Sequence, residues 1–198
     1  MAAGRHRTFD TGQALEAAML VFWRNGYSGT SMADLTQAMA INKPSLYAAF
    51  GNKEQLYMAA LEQYTSHHGM PSLALLYAPD QPLDQRLNAY LKSVARIFCH
   101  PDLPPGCLVA NSTCESAGDD MPQGALNLIS DINQKIQQSL INFISEEKAK
   151  GNIKSHSSPL ALALYLMSIN SGMAVLARNG ATLTELDEMI EHVVTTIT

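Results

Sequence analysis

An all-α fold is predicted by three features of this 198-residue sequence. Apolar residues recur at three- and four-residue intervals almost throughout, the spacing of one helix face. Helix start and stop residues punctuate that pattern, with Ser, Thr or Asn before a run and Gly after it. No strand pair, internal repeat or low-complexity tract competes with it. Hydrophobic residues make up 46% and charged residues 16%, so the chain can bury a core and is too apolar for a disordered tail.

Leu15, Ala18, Met19 and Phe22 mark a first helix that stops at Asn25 and Gly26. Thr30 or Ser31 can cap a short second helix. In it, Asp34 lies where the helix dipole favours a carboxylate, and Leu35 and Met39 point inward. After a turn at Ala40-Ile41-Asn42 a third helix starts with Pro44 in its first turn, carries Leu46, Tyr47 and Phe50, and ends at Gly51. Asn52 caps a fourth, with Gln55 three residues on as in a capping box and Leu56, Ala60, Leu61 and Tyr64 as its apolar stripe. The run His67-His68-Gly69-Met70-Pro71 reads as a break before longer helices. One stripe joins Leu83, Leu87, Tyr90, Leu91, Val94 and Phe98; a second joins Leu126, Ile129, Ile132, Ile136, Leu140 and Phe143. Between them lie a Pro-rich loop and a short piece, Cys107 to Cys114, whose secondary structure the pattern does not decide. Two helices close the chain, the last carrying Leu183, Leu186, Ile190, Val193 and Ile197.

The division expected is residues 1–55 as a small three-helix module and 56–198 as a larger bundle, bridged by the helix that starts near residue 52. No apolar run follows the charges of the N-terminus, so the reading is a cytoplasmic chain without a secretory signal. Three cysteines, an odd number, suit reduced thiols better than a disulfide framework. Residues 160–176 are apolar enough to raise a membrane span. The polar and small cluster Ser168, Asn170, Ser171 and Gly172 in their midst favours a helix held in a protein interface instead, and no membrane partner is expected.

Helices two and three, joined by so short a turn, match helix-turn-helix construction. If Leu46 and Phe50 face the core, Lys43, Pro44, Ser45, Tyr47 and Ala48 face outward, as a groove-reading helix requires. Lys53 opposes the positive end of the fourth helix dipole and calls for a nearby anion, which a DNA phosphate would supply.

The stretches FWRNGYSGTSM (22–32) and INKPSLYAAFGNKE (41–54) resemble the TetR family of dimeric bacterial transcriptional regulators. The likeness is close over residues 5 to about 60. Beyond it, only the helical layout and GCLVAN at 106–111 are similar. The resemblance implies phosphate contacts by Thr30, Ser31, Tyr47 and Lys53, and base contacts by Lys43, Pro44 and Ser45. Lys can donate to guanine, Ser can serve several bases, and Pro can meet a thymine methyl. Where many members have His before the Phe of helix three, this chain has Ala49, which shifts weight onto the arm. Arg5 and Arg7 on that arm suit a narrow minor groove, with an ordinary solvated terminus as the alternative.

The resemblance further implies a homodimer on palindromic operator DNA, released by a small-molecule inducer. A pocket is expected among Tyr64, Phe98, Cys107, Cys114, Phe143, Met167 and Asn170. The seam is expected in the last two helices, where Ala161, Ala163, Ser168, Ser171, Gly172 and Ala174 let helices approach. No cofactor is implied. A metal- or thiol-sensing regulator using Cys99, Cys107 and Cys114 is the first alternative, although their spacing matches no standard zinc pattern. A helical enzyme or carrier is the second. It finds no Gly-x-Ser-x-Gly elbow, phosphate loop or His-Glu-x-x-His helix to support it. The single Trp23 is read as a residue between the two modules. Net charge −5 excludes only a uniformly basic binder. Residues 1–60 carry Arg5, Arg7, Arg24, Lys43 and Lys53 against Asp10, Glu16, Asp34 and Glu54, so the acidity lies in the bundle.

Overall fold

A computed structural model describes residues 9–198 and resolves them into ten α-helices with no strand among the described residues. The small module comprises α1 (Thr11–Asn25), α2 (Met32–Ala38) and α3 (Lys43–Phe50), followed by α4 (Lys53–Tyr64). Side chains close each N-terminus. Asp10 accepts from the amides of Gly12 and Gln13, and Asn42 accepts from Ser45 at 2.9 Å. Ser31 with Asp34 and Asn52 with Gln55 form reciprocal capping boxes. Gly26 ends α1 at φ +75°, a conformation that disfavours any residue with a Cβ.

The expected break at residues 67–71 is absent: the chain stays helical to Tyr77. One π-turn, Thr65–Gly69, leads into α5 (Met70–Ala74) and a 3₁₀ turn, Leu75–Tyr77. The cause is Pro71, which has no amide to give the helix. The wider π-turn, closed by the Met70 amide on the Thr65 carbonyl, carries the backbone to the proline without ending the helix.

The bundle continues with α6 (Leu83–Phe98), α7 (Leu108–Glu115), α8 (Gln123–Ala149), α9 (Pro159–Arg178) and α10 (Leu183–Ile197). The undecided piece at 107–114 is therefore helix α7. Its N-cap is the Cys107 thiol, which accepts weakly from the Ala110 amide at 3.5 Å. Two apolar clusters form the core. The first joins α1–α4 to Leu108 and Val109 of α7 and to Ala125, Ile129 and Ile132 of α8, so the small module shares its core with the bundle. The second lies among α6, the far half of α8, α9 and α10. Trp23, fully buried, stacks edge-on to Tyr64 with ring centroids 4.7 Å apart, at the junction expected for it.

Helix α9 is long and apolar enough to cross a membrane by length and composition. Its two faces differ. Leu162, Leu166, Met173 and Ala177 are buried, while Leu160, Ala161, Leu164, Ser168, Ser171, Gly172 and Val175 form one exposed stripe. Ala163 and Ala174, expected on that stripe, instead face the core, because they fall on the opposite side of the 3.6-residue turn. Helix α10 turns its apolar side onto α6 and exposes Thr184, Glu188, Glu191 and Thr195. The unpartnered apolar surface of the last two helices is thus that of α9.

Candidate nucleic-acid interface

Leu46 is fully buried and anchors α3 against the small core, with Phe50 beside Phe9 at a centroid distance of 6.5 Å. Fixing that face turns the other outward. Lys43, Pro44, Ala48 and Ala49 are exposed, Tyr47 is half exposed, and Ser45 is partly covered. Ser31 is exposed at the start of α2; its hydroxyl accepts from the Asp34 amide and keeps its proton free to donate. Arg5 and Arg7 lie outside the described residues.

One expected phosphate contact has other work. Thr30 is 2% exposed, and its hydroxyl donates to the Gly26 carbonyl at 2.6 Å, closing the α1–α2 turn from within. A side chain so placed shapes the turn and does not face a ligand. Lys53 lies over the Tyr27 ring, 4.2 Å from its centroid. Burial pushes its pKa down while the Glu115 carboxylate pulls it up. Among the described residues no carboxylate pairs with the Lys53 ammonium within 4 Å.

Glu115, at the end of α7, is the residue the sequence reading missed. Its carboxylate accepts from the Tyr27 amide at 2.8 Å and the Ser28 amide at 2.6 Å, across 88 and 87 residues of chain. One turn earlier on α7, Ser112 donates to the Leu108 carbonyl and so receives the Tyr57 hydroxyl proton at 2.6 Å. No local motif could have signalled either pairing. Tyr57→Phe removes one buried hydrogen bond, and we expect a loss of about 1 kcal/mol of stability, read as a lower urea midpoint.

The seven expected pocket residues do not line one cavity, although Tyr64 and Cys107 are bonded to each other. A shallow, open groove of about 300 Å³ lies between α7, α8 and Met167 of α9, lined by Thr113, Ser116, Leu126, Ile129, Ser130, Asn133, Gln134, Gln137 and Met167. Met167 alone of the seven lines it. Cys114 borders a separate outer cleft with Arg24 and Arg178. Tyr64 donates to the Cys107 sulfur at 3.3 Å, Asn170 donates to Tyr90 at 2.6 Å, Phe98 lies in the bundle core, and Phe143 meets Tyr77 edge-on. Core contacts consume these side chains, a use that residue type cannot distinguish from pocket lining. The cysteines also have separate surroundings. Cys99 donates weakly to the Ala181 carbonyl, Cys114 is exposed, and burial pushes the Cys99 and Cys107 thiols up, away from the reactive thiolate. Among the described residues, no three His, Cys, Asp or Glu side chains group as metal ligands would.

Comparison with known proteins bears on this geometry directly. Residues 14–60 match the model of "Bacterial regulatory proteins, tetR family". The HTH-type transcriptional repressor ComR of Escherichia coli (strain K12) is 34% identical over 92% of this chain and 86% of its own length. The chain belongs to the TetR family. The repressor BdcR from the same organism is 28% identical over the same shares. Among solved structures, the TetR family regulator CifR, a cysteine mutant complexed with 26-bp double-strand operator DNA, superimposes with a TM-score of 0.87 at 30% identity, over 98% of this chain and 100% of CifR. Membership of the TetR family makes the protein a DNA-binding transcriptional regulator and not an enzyme.

Proposed function

We propose that the protein is a cytoplasmic homodimeric repressor that holds a palindromic operator through two α3 helices and releases it when a small molecule binds the bundle. The observation that carries this reading is α3 itself, where Leu46 is sealed in the core and Lys43, Pro44 and Tyr47 stand in solvent on the far side. Lys43 and Ser45 address base edges and Pro44 a thymine methyl, while Tyr47 and Ser31 bond phosphates. Lys53 adds a phosphate contact at the start of α4, and Thr30 shapes the turn beneath them. The exposed α9 stripe joins the two protomers, and it sets the reading heads about 34 Å apart, one turn of DNA. For the effector, the groove between α7, α8 and α9 has an apolar floor at Leu126, Ile129 and Met167 with Ser, Thr, Asn and Gln around it and no charged residue. It suits an uncharged molecule with a few polar groups. An effector that favours a conformation with wrongly spaced heads lowers operator affinity by its differential affinity for that state.

The test is a duplex selected from a random library by the wild-type protein, followed by gel shifts. Wild-type binding should fall steeply with salt as phosphate contacts release counterions. Lys43→Ala should weaken it by roughly 5- to 100-fold and blur selectivity at one base position. Selection of no duplex, or an affinity unmoved by salt, would overturn the reading.

A further inference from the structure

We infer that Glu115 is a positioning residue for DNA binding, a latch through which α7 sets the α1–α2 turn of the reading head directly. The inference rests on the proposed operator binding. Three observations place the latch. The carboxylate takes the amides of Tyr27 and Ser28 at 2.8 and 2.6 Å, and charge-assisted bonds of that length are among the stronger ones proteins make. Gly26 makes room for it: a Cβ there would lie 2.7 Å from a Glu115 carboxylate oxygen. Lys53 and Tyr27 complete the joint, the cation over the ring and under the influence of the Glu115 charge. The turn so held leads through Thr30 into Ser31, the N-cap of α2.

The other end of α7 is tied to α4. Cys107 caps its first turn and receives the Tyr64 hydroxyl at 3.3 Å, and Thr113 of the helix and its C-cap Ser116 line the groove beside α8. Helix α7 is eight residues, about 12 Å, long and is too short to bend easily. A shift at Cys107 or along the groove wall therefore reaches Glu115 as a movement of the whole helix, and Glu115 passes it to the turn directly, beside the contacts that α7 makes with Tyr57 and Tyr64 of α4.

The test is a double-mutant cycle on affinity for the selected duplex, at a temperature where every variant is folded. Glu115→Ala should weaken binding about tenfold by releasing the turn. Tyr64→Phe, which unpins the far end of α7, should weaken binding about fivefold in the wild-type background and not at all once Glu115 is gone. Amide exchange at Tyr27 and Ser28 should speed up in Glu115→Ala. If Glu115 served only stability, the two losses would multiply to within about twofold, as for distant independent sites, and that result overturns the inference. Unchanged affinity in Glu115→Ala overturns it equally. Should the alanine variant not fold, Glu115→Gln keeps the shape and removes the charge, and the same cycle is read in that background. Wild-type binding of the duplex tests the proposed function separately.

Discussion

Replacing Glu147 by alanine is expected to remove about 3–5 kcal/mol of stability, a large part of what a domain of this kind possesses. Glu147 is 1% exposed and sits at the centre of a polar knot. Arg86 donates to both its oxygens at 3.2 and 2.7 Å, Lys150 donates at 2.8 Å and Asn152 at 2.7 Å. The same guanidinium also holds the Leu76 carbonyl, within the 3₁₀ turn, and the Gln81 carbonyl in the following loop. Removing the carboxylate leaves Arg86, itself 8% exposed, as a buried charge without its counter-ion. That stranded charge, more than the lost attraction, sets the size of the effect. Glu147→Gln keeps the shape and one acceptor, and should lose less.

Burial pushes the Glu147 pKa up, but the bonds from Arg86, Lys150 and Asn152 overcome that and hold it near 2, against an ordinary 4.5. A folded pKa below the unfolded one means stability present above about pH 4.5 and lost as pH falls toward 2. Two to three pKa units correspond to about 3 kcal/mol. Wild type should therefore lose that stability between neutral pH and pH 2, while Glu147→Ala shows a flatter acid limb. Urea midpoints at fixed protein concentration measure both. A loss under 1 kcal/mol at pH 7 would show that the knot contributes little.

How much of this was legible in the sequence depended on the range of the interaction. The cap at Asn52 and the choice of Thr30 or Ser31 before the second helix are local, and the structure shows Asn52 and Ser31 as caps. So are the apolar stripes of α6 and α8, since burial on one face leaves a period in the chain. At residues 65–77 the local signals misled: Gly69 and Pro71 normally end a helix, but burial of Ser72 and Leu76 holds it, and one π-turn absorbs the misfit. Thr30 shows the same limit at the site: the residue type suits a phosphate, yet the Gly26 carbonyl claims its hydroxyl first. Glu115 itself was invisible, because a carboxylate 88 residues from its partner leaves no spacing to read.

Gly172→Arg is expected to separate the dimer and weaken operator affinity by about 10²–10⁴, the gain that two linked heads have over one. A glycine in a helix interior costs about 1 kcal/mol relative to alanine, so its presence calls for a reason. Within this chain there is none: φ is ordinary, and a Cβ at Gly172 would meet no atom within 4 Å. The seam proposed for α9 supplies a reason outside the chain. Gly172 is exposed in the middle of the α9 stripe, beside Ser168 and Ser171, with Leu164 45% and Val175 56% exposed one to two turns away. Small residues at the centre and large apolar ones toward the ends let two copies of a helix cross closely, below the usual 8–10 Å between axes, and still bury apolar area. In a two-fold interface every substitution appears twice, so arginine at 172 places two charges and two long side chains in the crossing. Sedimentation should show a monomer of unchanged helix content. Ala149→Arg, the same charge on an exposed end of α8, should stay dimeric with full operator affinity. A dimeric Gly172→Arg protein would place the seam elsewhere and leave the glycine without an explanation.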